Sequence, residues 1–312
     1  MNQFFEQGSE YPQAIIAIDN GNGNTKTEHL CFKSGVESYV TEPVVNKDYF
    51  KIGDKYYIVG ESHMTYQGDK TTSEECRILT IAAIVKEMEY RHMTEGKVRV
   101  AAGLPLGWCN PSNKKEFANY LMSESDIYVF YHKTNYHIEI VGVDVFPQGF
   151  AAICGRYEMK GLNMLVDIGN GTINMLLIKD GAPNEHSVIT ERTGVGSCMK
   201  NIMKEVTQIY NDDVSEDMIE PYLKDGCDPN DSPITSIVDR VASAYGEEII
   251  KKIHSNGYKD DLMKLYIIGG GGCILKNFTD LSSKRGVIFI DDICANAKGY
   301  AYLTRQKMMR KM

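Results

Sequence analysis

Several common signatures are missing from this 312-residue chain. Its eight cysteines form no C-x-x-C pair, which argues against a zinc site and a disulfide framework and indicates reduced, mostly buried thiols. No stretch approaches the roughly 18 apolar residues that a membrane-spanning helix needs. The first ten residues lack a basic segment and a long apolar segment, so no secretory signal is visible and we expect a cytoplasmic protein.

An excess of basic charge is also missing. The chain has 34 Lys and Arg against 42 Asp and Glu, a net charge of −8, which disfavours direct nucleic-acid binding through a broad basic face. Neither the G-x-x-x-x-G-K-[ST] loop nor the H-R-D motif of protein kinases occurs, so those two phosphoryl-transfer scaffolds are disfavoured. The remaining composition, 43% apolar and 24% charged, is that of a globular protein with one large or two ordinary domains.

The most informative stretch is residues 163–181, NMLVDIGNGTINMLLIKDG. Two apolar runs around a glycine-rich turn predict a buried β-hairpin. The first run leads into Asp167, and because an isolated buried charge is costly, we expect this carboxylate to face something positive, most simply a metal ion. Gly169 and Gly171 allow a sharp turn whose N–H groups can point at an anion.

The same pattern occurs near the start of the chain. Residues 14–27, AIIAIDNGNGNTKT, contain an apolar strand, Asp19, a turn with Gly21 and Gly23, and then Lys26. One such loop is equally consistent with an ordinary hairpin turn. Two copies about half a chain apart, each with Asp in the same place, favour an internal duplication with two halves that face each other.

Two further stretches complete the candidate site. The segment Phe146-Pro147-Gln148-Gly149 places Gln148 at a strand-to-helix corner, where the alternative is a surface turn residue. Residues 269–272 are four consecutive glycines, a costly arrangement that suits a backbone lying against a flat ligand; the alternative is a flexible linker.

These residue types suit nucleotide chemistry. Loop N–H groups can hold phosphates, Lys26 can reach a phosphate oxygen, and Asp19 and Asp167 can hold Mg²⁺ through its waters. The amide of Gln148 can orient an attacking water towards a γ-phosphate.

Hydrophobic spacing predicts the remaining elements. A hairpin is expected at residues 49–60, and Met199, Ile202, Met203, Val206 and Ile209 are expected on the inner face of one helix. Residues 212–233 are interpreted as a connection. The other predicted helices are at 73–93, 114–122, 150–157, 233–254 and 294–312, and the other strands are at 97–106, 127–131, 137–145, 188–191, 262–268 and 287–290.

The order of these motifs resembles the actin, sugar kinase and heat-shock chaperone ATPase superfamily, and within it the bacterial actin-like plasmid-segregation proteins of the ParM/StbA type. The matches extend over almost the full chain from residue 14. The stretches that carry the resemblance are IDNGNGNTK (18–26), AAGLPL (101–106), FPQGFAA (146–152), VDIGNGT (166–172), GVGS (194–197), IIGGGG (267–272) and ANAKGYAYL (295–303).

The resemblance implies an α/β, actin-like two-domain fold, in which duplicated ribonuclease H-like α/β domains surround a nucleotide cleft and each carries a small insertion subdomain. The first domain would comprise residues 1–160 plus 296–312, with an insertion at about 35–95. The second would comprise residues 161–295, with an insertion at about 198–258.

It also implies site roles. Asp19 and Asp167 match the metal-associated aspartates, and Gln148 matches the water-activating position, so Gln148 and Asp167 are the implied catalytic residues. Two departures concern the metal shell: Asn174 stands where many relatives have Asp, and Asn170 replaces a small residue. The implied nucleotide contacts are Asp19, Gly21, Asn22, Gly23, Asn24, Lys26, Gly169, Asn170, Gly171, Thr172, Gly194, Lys200, Gly269, Gly270, Gly271 and Gly272.

The implied function is a filament-forming ATPase or GTPase that polymerises with Mg-ATP or Mg-GTP, disassembles after hydrolysis and segregates plasmid DNA. A head-to-tail contact that does not close gives an open filament. The expected partners are further copies of the chain and a small DNA-binding adaptor of the ParR type on centromere-like DNA, without a membrane.

Two alternatives stay open. A sugar-type kinase of the same superfamily would need a general-base Asp near the cleft, where this chain offers Gln148. A non-segregating cytoskeletal scaffold would often carry an amphipathic membrane-binding terminus, for which residues 2–6, with Phe4 and Phe5, are too short and too weakly basic. The basic residues of the last eight, Arg305 to Lys311, are interpreted as complementing a helix dipole or as a partner contact.

Overall fold

The computed structural model describes residues 13–44, 48–61, 73–211 and 213–310. The chain divides into two compact units: residues 1–156 with 294–312, called the first unit, and residues 157–293, called the second unit. Phe4, Phe5 and Lys311 lie outside the described residues. Within the described ranges, no helix has the length and hydropathy that crossing a membrane requires, and all eight cysteines are free thiols.

The described N-terminal part of the first unit contains nine strands and three helices. They are β1 (Gln13–Asn20), β2 (Asn24–Lys26), β3 (Cys31–Lys33), β4 (Val36–Tyr39), β5 (Tyr49–Ile52), β6 (Lys55–Val59), α1 (Glu74–Tyr90), β7 (Glu95–Leu104), α2 (Pro111–Leu121), β8 (Asp126–Tyr131), β9 (Thr134–Pro147) and α3 (Phe150–Ile153).

The second unit follows, and the chain then returns to the first unit in a C-terminal helix. These elements are β10 (Leu162–Ile168), β11 (Ile173–Lys179), β12 (Ala182–Pro183), β13 (Ile189–Glu191), α4 (Val195–Tyr210), α5 (Glu216–Asp225), α6 (Pro233–Ser255), β14 (Lys264–Ile268), α7 (Gly272–Phe278), β15 (Val287–Phe289) and, in the first unit, α8 (Ala295–Met309). Single 3₁₀ turns lie at Leu106–Trp108, Glu185–Ser187 and Leu281–Ser283.

One sheet runs through the described part of the first unit in the order β3-β2-β1-β7-β9-β8-β5-β6-β4. Strands β1, β7 and β9 are parallel to one another, and the remaining pairs are antiparallel. The hairpin β5–β6, predicted at residues 49–60, joins this sheet through β8, and its core residues lie in the same hydrophobic cluster as α1.

Alternation along β1 places different residues on the two faces of this sheet. Ile16 and Ile18 belong to the core that α1 closes. Ala17 lies in a second cluster with Ala101, Ala151, Ala297, Tyr300 and Ala301, so small residues face α3 and α8. Because these residues are small, α8 approaches closely, and a Cβ on Gly299 would lie 2.0 Å from the carbonyl oxygen of Ala151.

The second unit has a sheet in the order β12-β11-β10-β14-β15, with β13 also paired to β11. Apolar side chains of β10 pack against Ile249 and Ile253 of α6. A separate core joins α4, α5, α6 and α7 through residues such as Ile202, Ile219 and Val238.

Three local predictions were wrong. Residues 212–233 were interpreted as a connection, but they contain α5, whose Ile219 and Leu223 are buried. Ile209 is 58% exposed although it lies on the same helix face as the buried Ile202, because it is the next-to-last residue of α4 and extends beyond the core. The helix expected at 150–157 ends at Ile153, because Gly155 has a φ of 73° and turns the chain.

The basic residues near the end of α8 form internal ion pairs. Arg305 pairs with Glu28 at 3.0 Å, and Lys307 pairs with the buried Asp144. These two side chains therefore hold α8 against its own unit.

Candidate functional site

In the first unit, the candidate site is built around Asp19, the next-to-last residue of β1. The β1–β2 hairpin pairs Asp19 with Lys26 across the ladder, and Asp19 is only 4% exposed. The Nζ atom of Lys26 lies 3.8 Å from Oδ2 of Asp19. A carboxylate this buried needs such partners, because desolvation of an unpaired charge is costly.

The turn between these strands is fixed by its own backbone. The N–H of Gly21 donates to the carbonyl oxygens of Asp19 and Asn24, each at 3.1 Å. A Cβ on Gly21 would lie 2.8 Å from the oxygen of Asn24, so the close approach requires glycine. The hydroxyl of Ser34 donates to the carbonyl of Gly21 at 2.7 Å, and the N–H of Ser34 donates to the carbonyl of Gly23 at 3.0 Å.

Asn22, at the tip of this turn, has a buried side-chain oxygen without a hydrogen-bond partner among the described residues. Buried polar atoms in proteins are nearly always satisfied by protein, water or ligand. The turn therefore has an acceptor that a bound molecule or water can satisfy.

The structure places Gln148 beside Asp19. The Nε2 atom of Gln148 donates to Oδ1 of Asp19 at 2.9 Å, and the N–H of Gln148 donates to the carbonyl of Leu104 at 2.8 Å. With the amide nitrogen turned towards the carboxylate, the other end of the side chain is a carbonyl oxygen that accepts hydrogen bonds. Gln148 is thus a positioned residue of the corner and not a free surface turn residue.

Sequence reasoning gave no role to two residues of α8 that also contact Asp19. The Nδ2 atom of Asn296 donates to Oδ2 of Asp19, and the hydroxyl of Tyr300 donates to Oδ1, both at 3.4 Å. Their i, i+4 spacing puts them on one helix face. The sequence feature that could have indicated them is the ANAKGYAYL stretch, which we used only as part of the family resemblance.

In the second unit, the β10–β11 hairpin repeats the register of β1–β2. Asp167 pairs with Asn174 across the ladder, at the same sequence interval that separates Asp19 from Lys26. The N–H of Gly169 donates to the carbonyl of Thr172 at 2.9 Å and closes the turn. Asn174 accepts a hydrogen bond from Thr190 at 2.8 Å, so the residue that departs from the family pattern braces this hairpin.

Two other glycine turns of the second unit pack on the Asp167 hairpin. At residues 194–196, the N–H of Val195 donates to the carbonyl of Gly169 at 3.0 Å, and the N–H of Gly196 donates to that of Asn170 at 2.9 Å. A Cβ on Gly194 would lie 2.5 Å from the carbonyl of Gly169. These N–H groups therefore support the hairpin instead of pointing at a ligand.

The third turn is the glycine run. The N–H of Gly271 donates to the carbonyl of Ile168 at 3.0 Å, and a Cβ on Gly269 would lie 2.4 Å from the same oxygen. Gly269, with a φ of 87°, adopts a conformation that favours glycine. Residues 269–271 are therefore a packed turn and not a linker, and Gly272 begins α7.

Lys200 is exposed on α4, and its side chain forms no hydrogen bond or salt bridge with a described residue. Its contact with a nucleotide stays a prediction.

The two aspartates differ in how well they fit a magnesium ion. Within the described ranges, no group of three or more His, Cys, Asp or Glu is placed to hold a metal. The oxygens of Asp19 already accept from Gln148, Asn296 and Tyr300, so this carboxylate fits a metal through water only. The Asp167 carboxylate instead lies directly against the glycine run, since a Cβ on Gly269 would lie 2.7 Å from its Oδ1.

Comparison with known proteins identifies the fold. Residues 17–150 match the family model of the N-terminal domain of actin-like proteins. No curated protein matches the chain in sequence. Among solved structures, the ADP complex of Ta0583, an archaeal actin homolog, is 20% identical, covers 94% of this chain and 99% of its own, and superimposes with a TM-score of 0.74.

Two further solved structures match to a similar degree. A 15-stranded ParM filament from Clostridium botulinum is 20% identical, with 94% and 99% of the two chains covered and a TM-score of 0.71. The actin-like protein Alp7A is 16% identical, with 95% and 97% covered and a TM-score of 0.74. The chain therefore has the actin-like fold, and the resemblance predicted from its motifs is confirmed.

Proposed function

From the actin-like fold and its duplicated acidic turns, we propose that this protein binds a nucleoside triphosphate, assembles head-to-tail into a filament and hydrolyses the nucleotide. The observation that carries the hydrolytic part is the hydrogen bond of 2.9 Å from Gln148 to Asp19. It fixes the amide so that its oxygen can accept from a water and aim it at a phosphate. An amide is not a general base, so Gln148 suits hydrolysis, in which it orients the attacking water, whereas a sugar-type kinase would need a general-base Asp near the cleft.

The other residues would bind and orient the nucleotide. Lys26 and the 20–24 turn would contact phosphate oxygens, as would the 169–172 turn, while Gly270 would lie against the base. Asp167, and Asp19 through water, would hold Mg²⁺, which when bound neutralises charge on the phosphate oxygens. ATP and GTP are both candidates.

Relatives support the nucleotide and the assembly. The archaeal homolog is a complex with ADP, and the ParM and Alp12 structures are filaments. An open filament follows when one surface of a subunit binds a different surface of the next copy without closing a ring.

Light scattering and pelleting of the full chain with Mg-ATP, Mg-GTP and Mg-ADP test the proposal. We expect triphosphate-dependent assembly, followed by disassembly as phosphate is released. The absence of assembly over a broad range of protein and salt concentrations would contradict the filament.

The catalytic assignment has its own test. Gln148→Ala should slow phosphate release about 100-fold while nucleotide binding stays measurable, and Asp167→Ala should also slow it. Matched controls are Gln208→Ala and Asp225→Asn, because both side chains are exposed in the second unit. A wild-type rate of hydrolysis in Gln148→Ala would show that Gln148 takes no part in the reaction.

We further propose that the filament segregates plasmid DNA in the cytoplasm through a small DNA-binding adaptor of the ParR type on centromere-like DNA. The net charge of −8 supports an adaptor over direct DNA binding. Co-pelleting of filaments with a DNA fragment should occur only when the product of a neighbouring small DNA-binding gene is added. Pelleting of DNA without it would contradict the adaptor.

A further inference from the structure

We infer that Asn296, in the ANAKGYA segment of α8, is a positioning residue that holds Gln148 in its hydrolytic orientation. This inference rests on the proposed function. The supporting observation is that the Asn296 side chain contacts both the backbone of Gly149, next to Gln148, and the carboxylate of Asp19, to which Gln148 donates.

The corner that presents Gln148 is a tight turn. Gly149 has φ 79° and ψ −62°, and the N–H of Phe150 donates to the carbonyl of Gln148 at 2.9 Å. These values describe a γ-turn with positive φ, a rare conformation that glycine adopts without strain because it has no Cβ. Because glycine is equally free to adopt other conformations, the turn keeps this shape only where its surroundings constrain it.

Asn296 supplies part of that constraint. Its Oδ1 atom accepts a hydrogen bond of 2.8 Å from the N–H of Gly149, the central residue of the turn. Its Nδ2 atom donates to Oδ2 of Asp19, while Gln148 donates to Oδ1 of the same carboxylate. Asn296 therefore ties the backbone of the corner to the group that orients the Gln148 side chain.

The helix that carries Asn296 is itself held closely. A Cβ on Gly299 would lie 2.0 Å from the carbonyl of Ala151, and a Cβ on Gly103 would lie 2.0 Å from the hydroxyl of Tyr300. Glycine at both positions lets the helix approach until its side chains reach Asp19. The rigid contact between α8 and its sheet is the support that a positioning residue needs.

A double-mutant cycle tests the inference. The variants are Asn296→Ala, Gln148→Ala and the double variant, with single-turnover phosphate release, nucleotide affinity and thermal midpoint measured for each. We expect Asn296→Ala to slow phosphate release about 10- to 100-fold while the dissociation constant changes less than about threefold. Because Asn296 acts through Gln148, the double variant should be no slower than Gln148→Ala by more than about twofold.

Two further variants keep the test decisive. Asn296→Asp retains an acceptor for Gly149 but replaces the donor to Asp19 with a like charge, so it should also slow phosphate release if Asn296→Ala does not fold. Gln306→Ala is the matched control, since it removes an amide side chain from the same helix that forms no hydrogen bond with Asp19 or the 148–150 corner, and it should change the rate less than about threefold.

The inference is overturned if the two single losses multiply in the double variant, if Asn296→Ala loses nucleotide affinity in proportion to rate, or if Asn296→Asp keeps the wild-type rate. Absence of hydrolysis in the wild-type protein would instead contradict the proposed function. The two failures are therefore distinguishable.

Discussion

Each unit contains a hairpin of the same type, and the two hairpins are held in place by different kinds of contact. In each, a strand ends in Asp, turns through glycines and returns with the same register, and each first strand has a parallel neighbour, β7 or β14. Around Asp19 the support is made of side chains from distant parts of the chain: Lys26, Gln148, Asn296 and Tyr300. Around Asp167, backbone N–H and carbonyl groups of three glycine turns bond to one another.

Because of this difference, we expect substitutions around the two hairpins to affect different properties. A side-chain cluster can change with little effect on the backbone, whereas a turn packed on another turn cannot accept a Cβ without moving it. We therefore expect side-chain substitutions around Asp19 to alter rates and affinities, and glycine substitutions around Asp167 to alter folding.

The largest effect should come from Gly269→Ala. The new Cβ would lie 2.4 Å from the carbonyl of Ile168 at a φ of 87°, so we expect a loss of about 2–4 kcal/mol in the free energy of unfolding. Denaturant unfolding measures it. Gly270→Ala is the matched control, since no described heavy atom lies within 4 Å of its Cβ, and it should cost less than about 0.5 kcal/mol.

The Gly270→Ala variant also tests the candidate nucleotide site. If Gly270 lies against the base, Gly270→Ala should weaken nucleotide binding while stability is retained. If Gly269→Ala and Gly270→Ala destabilise the protein equally, the contrast between the two units is wrong. The stability of the second unit would then not depend on the close backbone contact at Gly269.

A smaller effect should follow from making the first hairpin resemble the second. Lys26→Asn removes the cation paired with the buried Asp19, so we expect nucleotide affinity to fall about tenfold. Asn174→Ala, at the equivalent register position, loses its bond with Thr190 and should cost about 1 kcal/mol of stability. Titration with a fluorescent nucleotide measures the two affinities and denaturant unfolding measures the two stabilities. A greater affinity loss in Asn174→Ala than in Lys26→Asn would contradict the roles assigned to the two hairpins.

The smallest effect should be a pH dependence in the second unit. Hydrogen bonds that the His254 ring donates to the carboxylate of Asp260 and to the carbonyl of Ile250 raise the pKa of His254. The folded state therefore favours the protonated ring, so the stabilisation is fully present below the unfolded pKa of about 6.5 and is lost as pH rises through the folded value. Because His254 is 40% exposed, the gain is at most about 0.5 kcal/mol.

His254→Gln should remove this gain at about pH 5.5 and change nothing at about pH 8.5. Thermal unfolding at both values measures it, with the exposed His186→Gln as control. A loss in His254→Gln that is larger at the higher pH would contradict the assigned ion pair.

Local signals explain what the sequence predicted well. Both hairpins follow from apolar runs around glycine turns, and the place of Gln148 follows from the Phe-Pro break after a strand. The partners of Asp19 in α8 were not predictable in this way, because they lie 277 and 281 residues away along the chain. Helix α5 was missed because Pro221 and acidic residues concealed its apolar face.

The return of α8 to the first unit has a consequence for biosynthesis. A ribosome produces Asp19 and Gln148 early, but Asn296 and Tyr300 emerge only after the whole second unit has been translated. Until then, a nascent chain lacks the helix that packs against Ala17 of β1. The hydrogen-bond set around Asp19 is therefore complete only after α8 has been synthesised and has docked.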